Sequence, residues 1–162
     1  KSNKWLEKNL KTEAKKRKIN ENRIIFAEKI SPEKHLERHK HADLFLDTFN
    51  CNAHTTASDA LWTGLPVVTK IGNQFAARVA SSLLSSVGLT ELITKNDHEY
   101  ESLIINLGQN VAKLDQIKKK LINNSKSYPL FDTELYTYNF EKALKLVYEC
   151  NKNNLKTKDL VM

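Results

Sequence analysis

The run Asp47-Thr48-Phe49-Asn50-Cys51-Asn52-Ala53-His54-Thr55-Thr56-Ala57-Ser58-Asp59 concentrates residue types that can bind and orient an anion. It follows the apolar stretch Leu44-Phe45-Leu46 and leads into a helical pattern. A helix start presents unpartnered backbone N–H groups and a partial positive charge, which together make a phosphate site. Thr55 and Thr56 can add two hydroxyls there, and His54 a hydrogen bond or a charge. Asp59 lies four residues after Thr55 on the same helix face, where it can accept hydrogen bonds from sugar hydroxyls next to that phosphate. The same residues also suit structural work, with Thr55 as a helix cap and His54 and Asn52 satisfying loop backbone. Residue types alone leave both readings open. The chain has no P-loop and no G-x-G-x-x-G fingerprint.

A second stretch, Ser31-Pro32-Glu33-Lys34-His35-Leu36-Glu37-Arg38, opens with a helix-start signature: Ser as cap and Pro at the first helical position. His35 and Arg38 are three apart and share a face. They can bracket a planar ring, or stand as two exposed polar groups on a surface helix. A third stretch, Gly72-Asn73-Gln74-Phe75-Ala76-Ala77-Arg78, leads from a strand into a helix, and Arg78 either points to the same crevice or fills a structural role. Other chemistry is poorly supported. No Ser-His-Asp order emerges, His39 and His41 lack metal-ligand partners at useful spacing, and paired catalytic carboxylates are not evident. Cys51 beside His54 reads as loop filling rather than as a nucleophile.

Positioning these residues requires alternating strands and helices. Helices are expected over residues 3–18, 32–41, 55–63, 75–87, 97–109, 111–125 and 134–149. Short strands are expected at Arg23–Phe26, Asp43–Asp47, Pro66–Thr69 and Leu92–Ile93. Asn96 is expected to cap the helix that follows it, and Gly64 and Gly88 to stop the helices before them. This β-α-β-α-β-α-β rhythm implies an α/β fold, a parallel sheet with helices on its faces. Ligands of such sheets bind at the carboxyl ends of the strands. Those ends here are Phe26 to Ser31, Asp47 to Thr55, Thr69 to Gln74 and Thr94 to Asn96.

The 162 residues suffice for one domain or for a lobe of a larger enzyme, and 40% hydrophobic with 28% charged residues is ordinary for a globular chain. The net charge of +7 suggests nucleic acid, but its distribution argues against that. Residues 1–20 hold eight basic and two acidic groups, leaving 18 basic and 17 acidic elsewhere. Only four of the 26 basic residues are Arg, the residue that dominates base readout. The charge of the first helix is spread around most of its circumference, as on a solvated face. Cys51 and Cys150 have no metal-ligand spacing and fit two reduced thiols in a cytoplasmic protein. No apolar run approaches the roughly 18 residues of a membrane helix, and no signal peptide is visible. The chain reads as a basic helix (1–20), a ligand-binding lobe (21–150) and a polar tail (151–162). It opens with Lys inside a helical pattern, so it is expected to be part of a longer polypeptide.

Several runs together resemble the C-terminal catalytic lobe of the O-linked N-acetylglucosamine transferases, which are often fused to tetratricopeptide repeats. They are Arg23-Ile24-Ile25-Phe26, Ala42-Asp43-Leu44-Phe45-Leu46-Asp47-Thr48, Cys51-Asn52-Ala53-His54-Thr55-Thr56, and Asp59-Ala60-Leu61-Trp62-Thr63-Gly64-Leu65-Pro66-Val67-Val68-Thr69. Ala77-Arg78-Val79-Ala80 and Pro129-Leu130-Phe131 continue the pattern, which covers about residues 20–150. The resemblance implies the GT-B fold, two Rossmann-like lobes with UDP-N-acetylglucosamine in the cleft, and an inverting reaction without a metal or other cofactor. It implies that His54, Thr55 and Thr56 contact the donor diphosphate and that Asp59 holds the ribose hydroxyls. His35 would stack near the uracil, and Arg38 with the Ile30 backbone would read its edge. The acceptor would be a protein Ser or Thr.

Two departures stand out. Pro32 occupies the position of a family Lys that approaches the ribose, with Lys34 the nearest cation. The family's phosphate-binding Lys and neighbouring Gln are expected upstream of residue 1, with the first strands of this lobe, the N-terminal lobe and the repeats. No catalytic residue is therefore assigned within the chain, and this piece alone is expected to be inactive. Two alternatives remain: a related transferase using GDP-fucose or an Asn acceptor, and a non-catalytic basic binding module built on the first helix.

Overall fold

A computed structural model describes residues 3–155, so the end of the polar tail, residues 156–162, lies outside the described residues. The chain divides after Arg38 into two compact units.

The first unit opens with α1 (Lys4–Lys16), capped by Asn3 Oδ1, which accepts from the Trp5 N–H at 2.9 Å. The carboxylate of Glu13 bonds Lys16 and Arg17, and these bonds, Lys16 first, hold its pKa down at about 2. Lys18, at φ 58°, turns the chain out of the helix, and Lys15 pairs with Glu21 at 2.8 Å. Where a strand is expected at Arg23–Phe26, the structure has a 3-10 turn at Glu21–Arg23 and no ladder beyond it. Ile24 has extended dihedrals, but Ile25 is 87% exposed. Strand-type residues make a strand only against a partner, and none pairs with this segment among the described residues. The unit ends with α2 (Pro32–Arg38).

The second unit is built on a three-stranded parallel sheet, β1 (Phe45–Leu46), β2 (Val67–Lys70) and β3 (Ile93–Thr94), in that spatial order. Phe45 pairs with Val67 and Thr69 with Ile93. The four-strand rhythm thus reduces to three, and the Asp43–Asp47 strand to its two central residues. β2 is the middle strand, and Val67, Val68 and Thr69 are all buried, as a strand covered on both faces must be. The crossovers are α3 (Thr55–Trp62) and α4 (Val79–Ser86), which touch each other and β2. The expected 75–87 helix is split, its first turn being a 3-10 turn at Phe75–Ala77. α5 (Asp97–Gln109) lies against β2 and β3 and packs on α6 (Val111–Asn124). Leu61, Val67, Val68, Leu84, Leu92, Leu107 and Leu121 form the centre of the core. α7 (Thr133–Lys152) is the last helix of the described residues and contributes no buried residue.

Local chemistry sets the helix ends. Asn96 accepts from the Glu99 N–H at 2.9 Å while Glu99 accepts from the Lys95 N–H at 2.8 Å, a reciprocal cap. Gly64 (φ 83°) and Gly88 (φ 71°) end α3 and α4 in the left-handed region. Leu65 N–H then returns to the Ala60 carbonyl and Leu89 N–H to the Leu84 carbonyl, both at 2.8 Å. A Cβ on Gly64 would meet only Ile122, at 3.5 Å, whereas one on Gly88 would fall on the Tyr128 ring. Gly64→Ala should therefore cost about 1–2 kcal/mol, the left-handed penalty alone. Gly88→Ala should cost more, about 3 kcal/mol or above, because overpacking adds to it. Urea denaturation of the two variants measures the difference, and equal losses would rule out the clash.

Candidate functional site

Asp47 directly follows β1 and is 4% exposed. One carboxylate oxygen accepts from the Ala53 N–H at 2.7 Å, and the other from the Thr69 hydroxyl at 2.6 Å. A single side chain thus ties the far end of the 48–54 loop to the central strand. Within the loop, Thr48 Oγ1 donates to the Cys51 carbonyl at 2.6 Å and Asn52 Nδ2 to the Thr48 carbonyl at 2.8 Å. The loop is also pinned to residues 71–78: Asn52 N–H donates to the Ala76 carbonyl at 2.8 Å and Gln74 Nε2 to the Asn50 carbonyl at 3.0 Å. Tyr100 of α5 donates its hydroxyl to the Asp47 carbonyl at 2.8 Å. Burial raises the Tyr100 pKa above its usual 10.0, and the Asp47 charge adds to the shift.

This loop delivers His54 to the start of α3. His54 occupies the cap position with φ −99° and ψ −95°, and no side chain caps the helix. Thr55 is therefore the first helical residue rather than the cap. The His54 carbonyl accepts from the N–H groups of Ala57 and Ser58, both at 3.1 Å. His54, Thr55 and Thr56 are exposed, while Ala57, Ala60 and Leu61 anchor the opposite side in the core. Asp59, half-buried, follows one turn later. The His54 ring meets Phe75 edge-on, with centroids 6.2 Å apart. Exposed hydroxyls thus stand around a helix terminus whose dipole favours negative charge.

The Ile30, His35 and Arg38 set lies in the other unit. Arg38 donates to the Glu28 carbonyl at 2.9 Å and meets His35 Nδ1 at 2.7 Å. A guanidinium only donates, so Nδ1 is the acceptor and the ring proton sits on Nε2. His35 and Arg38 thus bond each other, three residues apart on α2. Ile30 exposes its side chain just ahead of α2. The Glu33 carboxyl is held below its usual range by its own backbone N–H and then by the Ser31 hydroxyl.

Arg78 donates to the Gly72 carbonyl at 3.1 Å, Asp43 pairs with Lys118 at 2.8 Å, and His39 meets the Thr63 hydroxyl at 3.1 Å. Among the described residues, no group of three or more His, Cys, Asp and Glu gathers as a metal site would. The residues the sequence did not reveal are the positioning ones, Asp47, Thr69 and Tyr100. A lone acid closing an apolar strand was the available signal.

Asp47→Asn should lose about 2–3 kcal/mol, since an amide turns one acceptor into a donor against the groups that Asp47 holds. Hydrogen exchange at Ala53 should accelerate with it, and unchanged protection there would refute the tether. Tyr100 behaves oppositely to a paired acid. Its folded pKa is raised, so its contribution is complete below pH 10 and is lost as pH rises through the folded value. Tyr100→Phe should cost about 1 kcal/mol at neutral pH and flatten the stability loss above pH 10 in denaturation series.

Comparison with known proteins places this geometry. Glycosyl transferase family 41 matches residues 3–140. The UDP-N-acetylglucosamine–peptide N-acetylglucosaminyltransferase of Caenorhabditis elegans is 38% identical over 128 residues, 79% of this chain and 11% of that protein. The probable UDP-N-acetylglucosamine–peptide N-acetylglucosaminyltransferase SEC of Arabidopsis thaliana is 36% identical over 138 residues, 85% of this chain and 14% of that protein. A mutant O-GlcNAc transferase of Thermobaculum terrenum superposes with a TM-score of 0.81 at 28% identity, covering 88% of this chain and 27% of its own. The chain therefore spans a small part of the relatives it matches, and it belongs to glycosyltransferase family 41.

Proposed function

We propose that this chain is the donor-binding part of a glycosyltransferase that moves N-acetylglucosamine from UDP-N-acetylglucosamine to Ser or Thr hydroxyls of proteins. The observation that carries this reading is the uncapped start of α3, with His54, Thr55 and Thr56 exposed around it and Asp47 holding the loop that leads there. Family membership and the names of the relatives support the same donor and a polypeptide acceptor.

The chemistry asked of these residues is charge stabilisation. As the bond from the anomeric carbon to the diphosphate oxygen breaks, negative charge builds on the departing UDP. First-turn N–H groups of α3 and the hydroxyls of Thr55 and Thr56 are set to donate to that charge, with the helix dipole aligned to it. Because Asp47 fixes the loop beforehand, little reorganisation accompanies the reaction. This arrangement can take the place of a metal ion at the diphosphate. Asp59 receives the ribose hydroxyls. His35 stacks on the uracil, and Arg38 with the Ile30 backbone reads its edge. The acceptor hydroxyl attacks from the opposite face, which inverts the anomeric centre. The phosphate-binding Lys and the second lobe come from elsewhere in the polypeptide, together with tetratricopeptide repeats. Cys51 and Cys150 are free thiols, which suits a cytoplasmic enzyme.

The test uses the full polypeptide that carries this chain. His54→Ala should lower donor turnover about 100-fold, the scale of removing one donor to a developing anion. Asp59→Ala should weaken UDP binding about tenfold, the scale of one or two hydrogen bonds. Competition between UDP and GDP reads the base, and tighter binding of GDP would move the donor to a GDP-sugar. Full turnover in both variants would overturn the site.

A further inference from the structure

The His54 imidazole is exposed at the start of α3, and the Phe75 ring meets it with the two planes at 86° and the centroids 6.2 Å apart. Burial does not hold Phe75 in place, since the residue is 80% exposed. Its turn does. Phe75 opens the 3-10 turn Phe75–Ala77, where Ala77 N–H donates to the Gln74 carbonyl and Arg78 N–H to the Phe75 carbonyl, both at 3.0 Å. Gly72 N–H donates to the Ala77 carbonyl at 2.8 Å, and the Arg78 guanidinium returns to the Gly72 carbonyl at 3.1 Å. The approach is so close that a Cβ on Gly72 would stand 2.6 Å from the Ala77 Cβ. This turn is then joined to the loop that carries His54, because Asn52 N–H donates to the Ala76 carbonyl at 2.8 Å. Asn52 is two residues before His54 and Ala76 is one after Phe75, so both rings ride on one pinned pair of segments.

We propose that Phe75 is a positioning residue of the donor site, whose ring holds the His54 imidazole in the orientation that meets the departing diphosphate. The proposal rests on the donor-site reading above. A phenyl ring has no hydrogen-bond donor to offer a phosphate, so Phe75 acts through its neighbour. An exposed side chain has several staggered χ1 wells open to it, and a donor stabilises developing charge best when it is already aimed. Contact with a fixed ring favours one of those wells. Aromatic pairs in this edge-on geometry are worth a factor of about two to ten in an equilibrium. Phe75 therefore reduces the rearrangement His54 undergoes as the bond to the diphosphate breaks. An effect of that kind falls on kcat rather than on donor affinity.

The experiment measures kcat and KM for UDP-N-acetylglucosamine on the full polypeptide, as a double-mutant cycle between Phe75 and His54. Phe75→Ala should lower kcat about fivefold and leave KM within about twofold of wild type. Phe75→Leu, apolar but without a ring, should lose as much, whereas Phe75→Tyr, which restores the ring, should recover about half or more of the wild-type kcat. In the His54→Ala background, Phe75→Ala should change kcat by less than about twofold, because the side chain it positions is gone. A merely structural role would carry the whole loss into that background, and this result overturns the proposal. Wild-type kcat in Phe75→Ala or in Phe75→Leu overturns it as well. His54→Ala alone separates the two readings. If it leaves turnover intact, the donor site fails and the role of Phe75 with it; if it lowers turnover while Phe75→Ala does not, only the role of Phe75 fails.

Discussion

The Asp47 carboxylate is the interaction on which the site depends. It is buried just past β1 and bonds a loop N–H and a hydroxyl of the central strand. A buried carboxylate is tolerated only when its oxygens are satisfied, so the constraint works in both directions. The charge requires Ala53 and Thr69 where they are, and their positions define the path of the chain into α3. Thr69 passes the constraint on, because its carbonyl accepts from the Thr94 hydroxyl at 3.0 Å. Asp47, β2 and β3 are therefore joined by side-chain bonds as well as by the ladder.

Compared with this network, surface ion pairing contributes little. Lys70–Asp97, Lys118–Asp43 and Lys120–Glu91 each leave at least one partner well exposed, and such pairs are worth only a fraction of a kcal/mol to about 1 kcal/mol. The stability of the second unit rests instead on the apolar contacts of β2 with α3, α4 and α5. α3 turns Ala57, Ala60 and Leu61 into the core, and its two alanines let it lie close to the sheet while its first turn stays exposed. An anion-binding helix start needs this division: a buried side that fixes its direction and an open end that no side chain has capped.

The sequence was most readable where the determinants are local. α5 starts and ends where periodicity and the Asn96 cap place it, and Gly64 and Gly88 stop their helices as expected. The cluster of His54, Thr55, Thr56 and Asp59 was legible for the same reason, since strand, loop and helix follow one another along the chain. Long-range features were not legible. Thr69 bonds Asp47 across 22 positions and Tyr100 across 53, and no periodicity encodes either. Arg23–Phe26 failed as a strand because a ladder partner decides strand formation, and residue type cannot supply one.

The net charge of +7 takes on a definite meaning in this light. Its excess lies in the unit that ends at Arg38, and part of it is already matched there by Glu13 and Glu21. The unit that holds the α3 terminus is close to neutral, so in the proposed donor site what this unit offers a diphosphate is oriented dipoles rather than a field of lysines. Dipolar attraction falls off within a turn of the helix, whereas net charge acts across the Debye length of about 8 Å at physiological salt. A site of this kind selects by fit at short range and gains little from long-range steering. On the proposed reading, the placement of the 48–54 loop, and hence the Asp47 carboxylate, matters more to binding than the number of basic residues in the chain.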